Sequence, residues 1–152
     1  MKPRIYTDTS VLGGCEDDEF REPSRRLLDA FERGELTLVL SELTVRELET
    51  APEEVRNILG QVPSGHIEAL ALSPEAEDLA SAYIADGAIG AQMRADALHI
   101  ALATVARVDV LVSWNFKHIV NLKRIHAYNA VNLKIGYPLL EIRTPREVPR
   151  DE

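Results

Sequence analysis

Met93–Lys117 reads MRADALHIALATVARVDVLVSWNFK, and this stretch decides the fold. Leu98, Ala101, Leu102 and Val105 recur at i, i+3, i+4 and i+7, which predicts an amphipathic helix. Asp96 falls near its start. The pattern then changes to a short β-branched run, with a strand expected over Asp109–Ser113, ending at Ser113-Trp114-Asn115. A helix that feeds a strand ending in small polar residues is how α/β proteins deliver side chains to the carboxyl edge of a parallel sheet, where ligands bind.

The flanking sequence continues the alternation of strands and helices. Arg4–Thr7 (RIYT) predicts a first strand that ends at Asp8-Thr9-Ser10, and Gly13-Gly14 then reads as a break. Pro23 suits the first turn of a helix whose apolar face is Leu27, Leu28, Ala30 and Phe31 and whose stop is Gly34. Leu36–Leu40 (LTLVL) predicts a second strand, with Ser41 capping the helix that carries Glu47. Pro52 opens a short helix ending at Gly60, and Ile67–Leu72 predicts a third strand. Ser73-Pro74 caps a helix running to about Ala85. Beyond the central stretch, His118–Leu133 reads as one or two helices closed by Gly136, Pro138–Ile142 as a last strand, and Thr144–Glu147 as a tail turn.

At 152 residues the chain is expected to form one domain over 1–152. The lone Cys15 excludes an internal disulfide and fits a reducing cytoplasm. No apolar run approaches the ~20 residues that span a bilayer, and the N-terminal residues lack the apolar core of a secretory signal. Net charge is −8, but it is uneven. Residues 1–114 carry 10 Lys and Arg against 21 Asp and Glu, net −11, while residues 115–152 carry 7 against 4, net +3. The acidic excess is read either as a carboxylate site or as solvated surface, and the basic third as a face for phosphate or simply as solvated surface.

Three acids stand at element junctions. Asp8 directly follows a strand, where propensity disfavours it. Glu47 lies on the helix after the second strand, with Glu42 and Glu49 as competitors, and Asp96 near the start of the long helix. Asn115 follows the fourth strand. A parallel sheet can bring all four to one rim, where three carboxylates and an amide oxygen would suit Mg²⁺ or Mn²⁺. Each also has an ordinary reading: Asp8 and Asn115 as turn residues, Glu47 as a surface acid, Asp96 as a first-turn acid favoured by the helix dipole. His99, one turn past Asp96, could sit beside the site, but a lone helix histidine reads first as packed or solvated. Ser10 lacks the context of a nucleophilic serine, and the four histidines and Cys15 show no zinc spacing. Trp114 and Phe116 could stack on a base, but packing is the stronger reading.

In order, Tyr-Thr-Asp8-Thr-Ser, Leu-Thr-Val-Arg-Glu47-Leu, Ala-Asp96-Ala-Leu-His-Ile-Ala and Leu-Val-Ser-Trp-Asn115-Phe resemble the PIN-domain family, in particular the toxin ribonucleases of VapBC toxin–antitoxin pairs. The resemblance implies a three-layer α/β/α fold around a central, mainly parallel sheet of four to five strands. It also implies a catalytic set of Asp8, Glu47, Asp96 and Asn115, with Asp8 and Asp96 binding Mg²⁺ or Mn²⁺ most directly and Thr9 and Ser113 in support. Relatives often carry an Asp where Asn115 stands. The implied activity is hydrolysis of RNA by a metal-activated water, with a small antitoxin as partner and a homodimer as assembly. The alternative is a PIN-fold module that binds RNA or protein with weak or no cleavage.

Overall fold

The computed structural model describes residues 2–148; residue 1 and residues 149–152 of the expected domain lie outside the described residues. Five strands form one parallel sheet: β1 (Arg4–Thr7), β2 (Thr37–Ser41), β3 (Ile67–Leu70), β4 (Val110–Val112) and β5 (Ile142–Arg143). Their spatial order is β3-β2-β1-β4-β5. The chain therefore builds outward from β1 to β3, crosses back, and lays β4 on the other side of β1. The reversal between β1 and β4 opens a crevice at the carboxyl ends of those two strands, the usual place for a ligand in a parallel sheet.

Helices α1 (Thr9–Gly14), α2 (Arg21–Glu32), α3 (Glu42–Leu48) and α4 (Glu53–Leu59) follow the first two strands, and α5 (Pro74–Ala85), α6 (Arg94–Val105) and α7 (Leu122–Ile135) follow later. Successive strand residues point to opposite faces. Ile5, Leu38, Leu40 and Val112 pack with Leu12, Leu27, Phe31 and Ile58 on one side. Tyr6, Val39 and Leu111 pack with Leu79, Tyr83, Ile100 and Tyr128 on the other. These two cores make the three layers. No helix among the described residues is long and apolar enough to cross a membrane.

Local signals match the structure closely in places. Ser41 and Ser73 accept from the backbone N–H of Thr44 and Ala76 as N-caps, and Gly136 closes α7 at φ 111°. Four expectations need correction. Gly13 and Gly14 lie inside α1 instead of breaking the chain. The helix in the opening stretch is buried almost all round, from Ala97 through His99–Thr104, because it lies between the sheet and α5. The segment after β4 holds one helix, α7, beginning only at Leu122. The strand expected over Pro138–Ile142 pairs only at Ile142–Arg143. Asn129 explains the last difference. Its side chain accepts from Leu140 N at 2.7 Å and donates to Leu140 O at 3.1 Å, occupying backbone groups that a longer ladder would use.

Candidate active site

Asp8 ends β1 and sits at the N-cap of α1, but its side chain makes no capping bond. The Ser10 hydroxyl donates to Oδ1 and the Ser113 hydroxyl to Oδ2, each at 2.6 Å. Each serine oxygen also accepts a backbone N–H, from Trp114 at 2.9 Å and Asn115 at 2.9 Å respectively. Asp8 thus ties the end of β4 to the end of β1, and it is almost wholly buried. Burial pushes its carboxyl above the usual range and the charge of Asp96 adds to the push, against His99 and the two serines.

Glu47 reaches the same rim from α3. Its Oε1 accepts from the Thr9 hydroxyl and meets His99 Nε2 at 2.9 Å. Burial opposes its charge, yet the His99 bond, the His99 ring and Thr9 together hold Glu47 below the usual carboxylate value. Its competitor Glu42 faces elsewhere, accepting from Leu72 N at 2.8 Å.

His99 is the residue that the sequence ranked below the carboxylates, as more readily packed or solvated than part of the site. It is 2% exposed and bridges two layers: Nδ1 lies 2.7 Å from the Tyr6 hydroxyl, which lies 2.8 Å from Ser41 Oγ. For a neutral imidazole facing the Glu47 carboxylate, which can only accept, one proton order satisfies the chain. Ser41 donates to Tyr6, Tyr6 to His99 Nδ1, and His99 Nε2–H to Glu47. The one available signal was its spacing of three from Asp96 on a helix.

Asp96 stands in the first turn of α6. Burial raises its carboxyl, and the Glu47 charge adds, against His99, His118 and the Asn115 amide. Asn115 Nδ2 donates to Asp96 Oδ2 at 3.3 Å, and Asn115 Oδ1 accepts from His118 N at 3.0 Å. The backbone N–H of His118 can only donate, so the amide orientation is fixed: oxygen to the turn, nitrogen to Asp96. Trp114 is packed, stacking on Phe20 at 4.2 Å and donating through Nε1 to Ser24 Oγ at 2.8 Å.

Asp8, Glu47, Asp96 and Asn115 therefore meet at the β1/β4 switch point, Ser113 supports Asp8, and Thr9 supports Glu47. Among the described residues, no three His, Cys, Asp or Glu side chains form a preassembled metal shell, and Asp8, Glu47 and Asp96 face histidines but no Lys or Arg ion pair. The donor set fits a hard divalent cation in chemistry: oxygens only, with Asp8 and Asp96 raised by burial and, to a lesser degree, by neighbouring carboxylate charge that a cation would relieve.

Solved structures share this architecture. VapC20 of Mycobacterium tuberculosis, a sarcin–ricin-loop-cleaving toxin, matches with a TM-score of 0.57 at 12% identity, over 75% of this chain and 92% of its own. VapBC2 of Rickettsia felis, bound to a DNA fragment from their promoter, matches at 0.56 and 13%, over 93% and 98%. FitAcB of Neisseria gonorrhoeae matches at 0.56 and 16%, over 95% and 99%. The chain shares the fold of these solved structures. No family model and no curated protein matches it in sequence. In this fold the carboxylates occupy the crevice that the strand order creates.

Proposed function

We propose that the protein is a divalent-metal-dependent endoribonuclease, the toxin of a toxin–antitoxin pair. The observation that carries this reading is the meeting of Asp8, Glu47 and Asp96 at the switch point with no Lys or Arg ion pair among the described residues. Asp8 and Asp96 would hold Mg²⁺ or Mn²⁺ most directly, with Glu47 completing the set. Such an ion supplies an activated water and a counter-charge for the phosphodiester transition state. The chain's own residues set the geometry. Ser10 and Ser113 fix both oxygens of Asp8, Thr9 and His99 aim Glu47, and Asn115 holds Asp96. A small antitoxin, a homodimer and a cytoplasmic setting belong to the same reading.

The test is RNA cleavage with Mn²⁺, with EDTA, and with Asp96→Asn. Cleavage that needs Mn²⁺ and is lost in the variant supports the reading. A folded protein that cleaves no RNA in Mn²⁺ overturns it. Asn115 is the observation that favours a second reading, a PIN-fold binding module: it places a neutral amide where relatives often carry an acid, and its oxygen is engaged by His118. RNA binding without cleavage would select that reading.

A further inference from the structure

A cleft beside the start of α7 is lined by Lys117, Asn121, Lys123 and Arg124 together with Gly87 and Ala88. No acidic side chain lines it. Many cations elsewhere on this acidic chain face carboxylates: Arg4 pairs with Glu68, Arg25 with Glu16, Arg33 with Glu35, Arg143 with Glu141. Lys117 and Lys123 are exposed and, among the described residues, have no hydrogen-bond or ion-pair partner. Arg124 is held in place by a bond from Nη1 to Ala88 O at 2.9 Å. The charge is also placed against local preference. Helices α2 to α6 carry an acid in the first turn, whereas α7 carries none there and has Lys123 and Arg124 instead. Cations at that end are disfavoured by the helix dipole, and among the described residues no carboxylate pairs with them.

Along the chain the basic part of the cleft begins just past the residue that holds Asp96. Lys117 lies two residues past Asn115, which holds Asp96, and the turn between them is closed by Ile119 N and Val120 N donating to Asn115 O at 3.1 and 2.8 Å. Tyr128 senses both the Arg124 and the Asp96 charge, and it donates to His118 O at 2.5 Å. Concentrated positive charge beside a carboxylate centre suits a polyanion that runs from one to the other.

We infer that this cleft is a phosphate-binding subsite, where Lys117 and Lys123 engage the backbone of a single-stranded RNA whose scissile bond lies at the carboxylates. The inference rests on the nuclease reading, and it names where the substrate chain runs. Lysine acts here as a point charge, so the subsite adds affinity without sequence preference.

The experiment measures binding of a labelled single-stranded RNA of about 12 nucleotides in EDTA across a salt series. Releasing counterions from single strands contributes a slope of about 0.7 per phosphate contact, so Lys117→Gln with Lys123→Gln should lower the log–log salt slope by about 1.4. The variant should unfold at or slightly above the wild-type temperature, since neither lysine has a partner among the described residues and Lys123 opposes the dipole of α7. An unchanged slope overturns the subsite, as does the absence of wild-type RNA binding at low salt. A larger loss on duplex DNA than on RNA also overturns it, in favour of a DNA-binding face. Because cleavage plays no part in this assay, the two failures separate. Mn²⁺-dependent cleavage with an unchanged slope sinks the subsite alone, and a lowered slope without cleavage sinks the nuclease reading alone.

Discussion

His99→Leu separates aim from mere packing at the carboxylates. His99 is 2% exposed, and Leu keeps much of its apolar bulk while removing both ring nitrogens. Each partner keeps one other contact, Tyr6 with Ser41 and Glu47 with Thr9. The loss is therefore two net hydrogen bonds. The buried bond to Tyr6 is worth about 1 kcal/mol. The bond to the Glu47 carboxylate would be worth more if buried, but that side chain is 33% exposed, and water replaces part of it, so we assign about 1 kcal/mol. A total of about 2 kcal/mol corresponds to a fall of about 4–8 °C in Tm for a domain of this size. Loss of a partner that orients a metal ligand costs about 10–100-fold in metal affinity, so Mn²⁺ binding by calorimetry should weaken by that factor, and cleavage with it. His99→Gln, whose amide can still donate to Glu47, should recover Mn²⁺ affinity more than stability. If His99→Leu loses the expected stability while Mn²⁺ binding and cleavage stay at wild-type strength, the histidine only packs and the reasoning fails.

Gly14→Ala should destabilise by about 1–3 kcal/mol, because a Cβ there would lie 2.5 Å from Ser24 Oγ and 2.7 Å from Trp114 Nε1. Gly13→Ala meets nothing within 4 Å and, being inside α1, should stabilise by about 0.5–1 kcal/mol; thermal unfolding of both variants checks the pair. Asp8 and Asp96 have folded pKa values raised by burial, so their contribution to stability is full below the unfolded carboxylate pKa and is lost as pH rises through the raised values. In EDTA, Asp96→Asn should therefore gain on wild type in Tm as pH rises from about 4 to about 7, while Mn²⁺ at about 100 times its Kd should stabilise wild type by about 2.7 kcal/mol near neutrality and Asp96→Asn by much less; a pH-independent gap between the two proteins would contradict the assignment. Asn115→Asp removes the donor to Asp96 and sets a second carboxylate about 3.3 Å from it, so Mn²⁺ affinity should fall; unchanged or tighter binding would make the residue an oxygen ligand.

What the sequence revealed and what it hid divide by range. Ser41 and Ser73 as caps, Pro74 at the first helical turn, Gly136 as a stop and the run Arg4–Thr7 all rest on neighbours within a few positions, and each appears in the structure where expected. Asp8 could be noticed because strand propensity does not explain it. The residues that were misread answer to distant partners. Gly14 resembles a helix breaker until the indole of Trp114 lies against it, 100 positions along the chain. Leu139 and Leu140 look like strand until the Asn129 side chain occupies the backbone of Leu140. His99 looks like any helix histidine until the hydroxyl of Tyr6, 93 residues away, fixes one nitrogen and so commits the other to Glu47. Asn115 shows the same rule at the site itself. Sequence alone leaves its amide as a neutral ligand or a turn former; the His118 backbone decides, because an N–H there forces the oxygen toward the turn and the nitrogen toward Asp96. The strand order places these ends together, and the hydrogen bonds between side chains that no local pattern links then determine which carboxylate oxygens stay open to a cation.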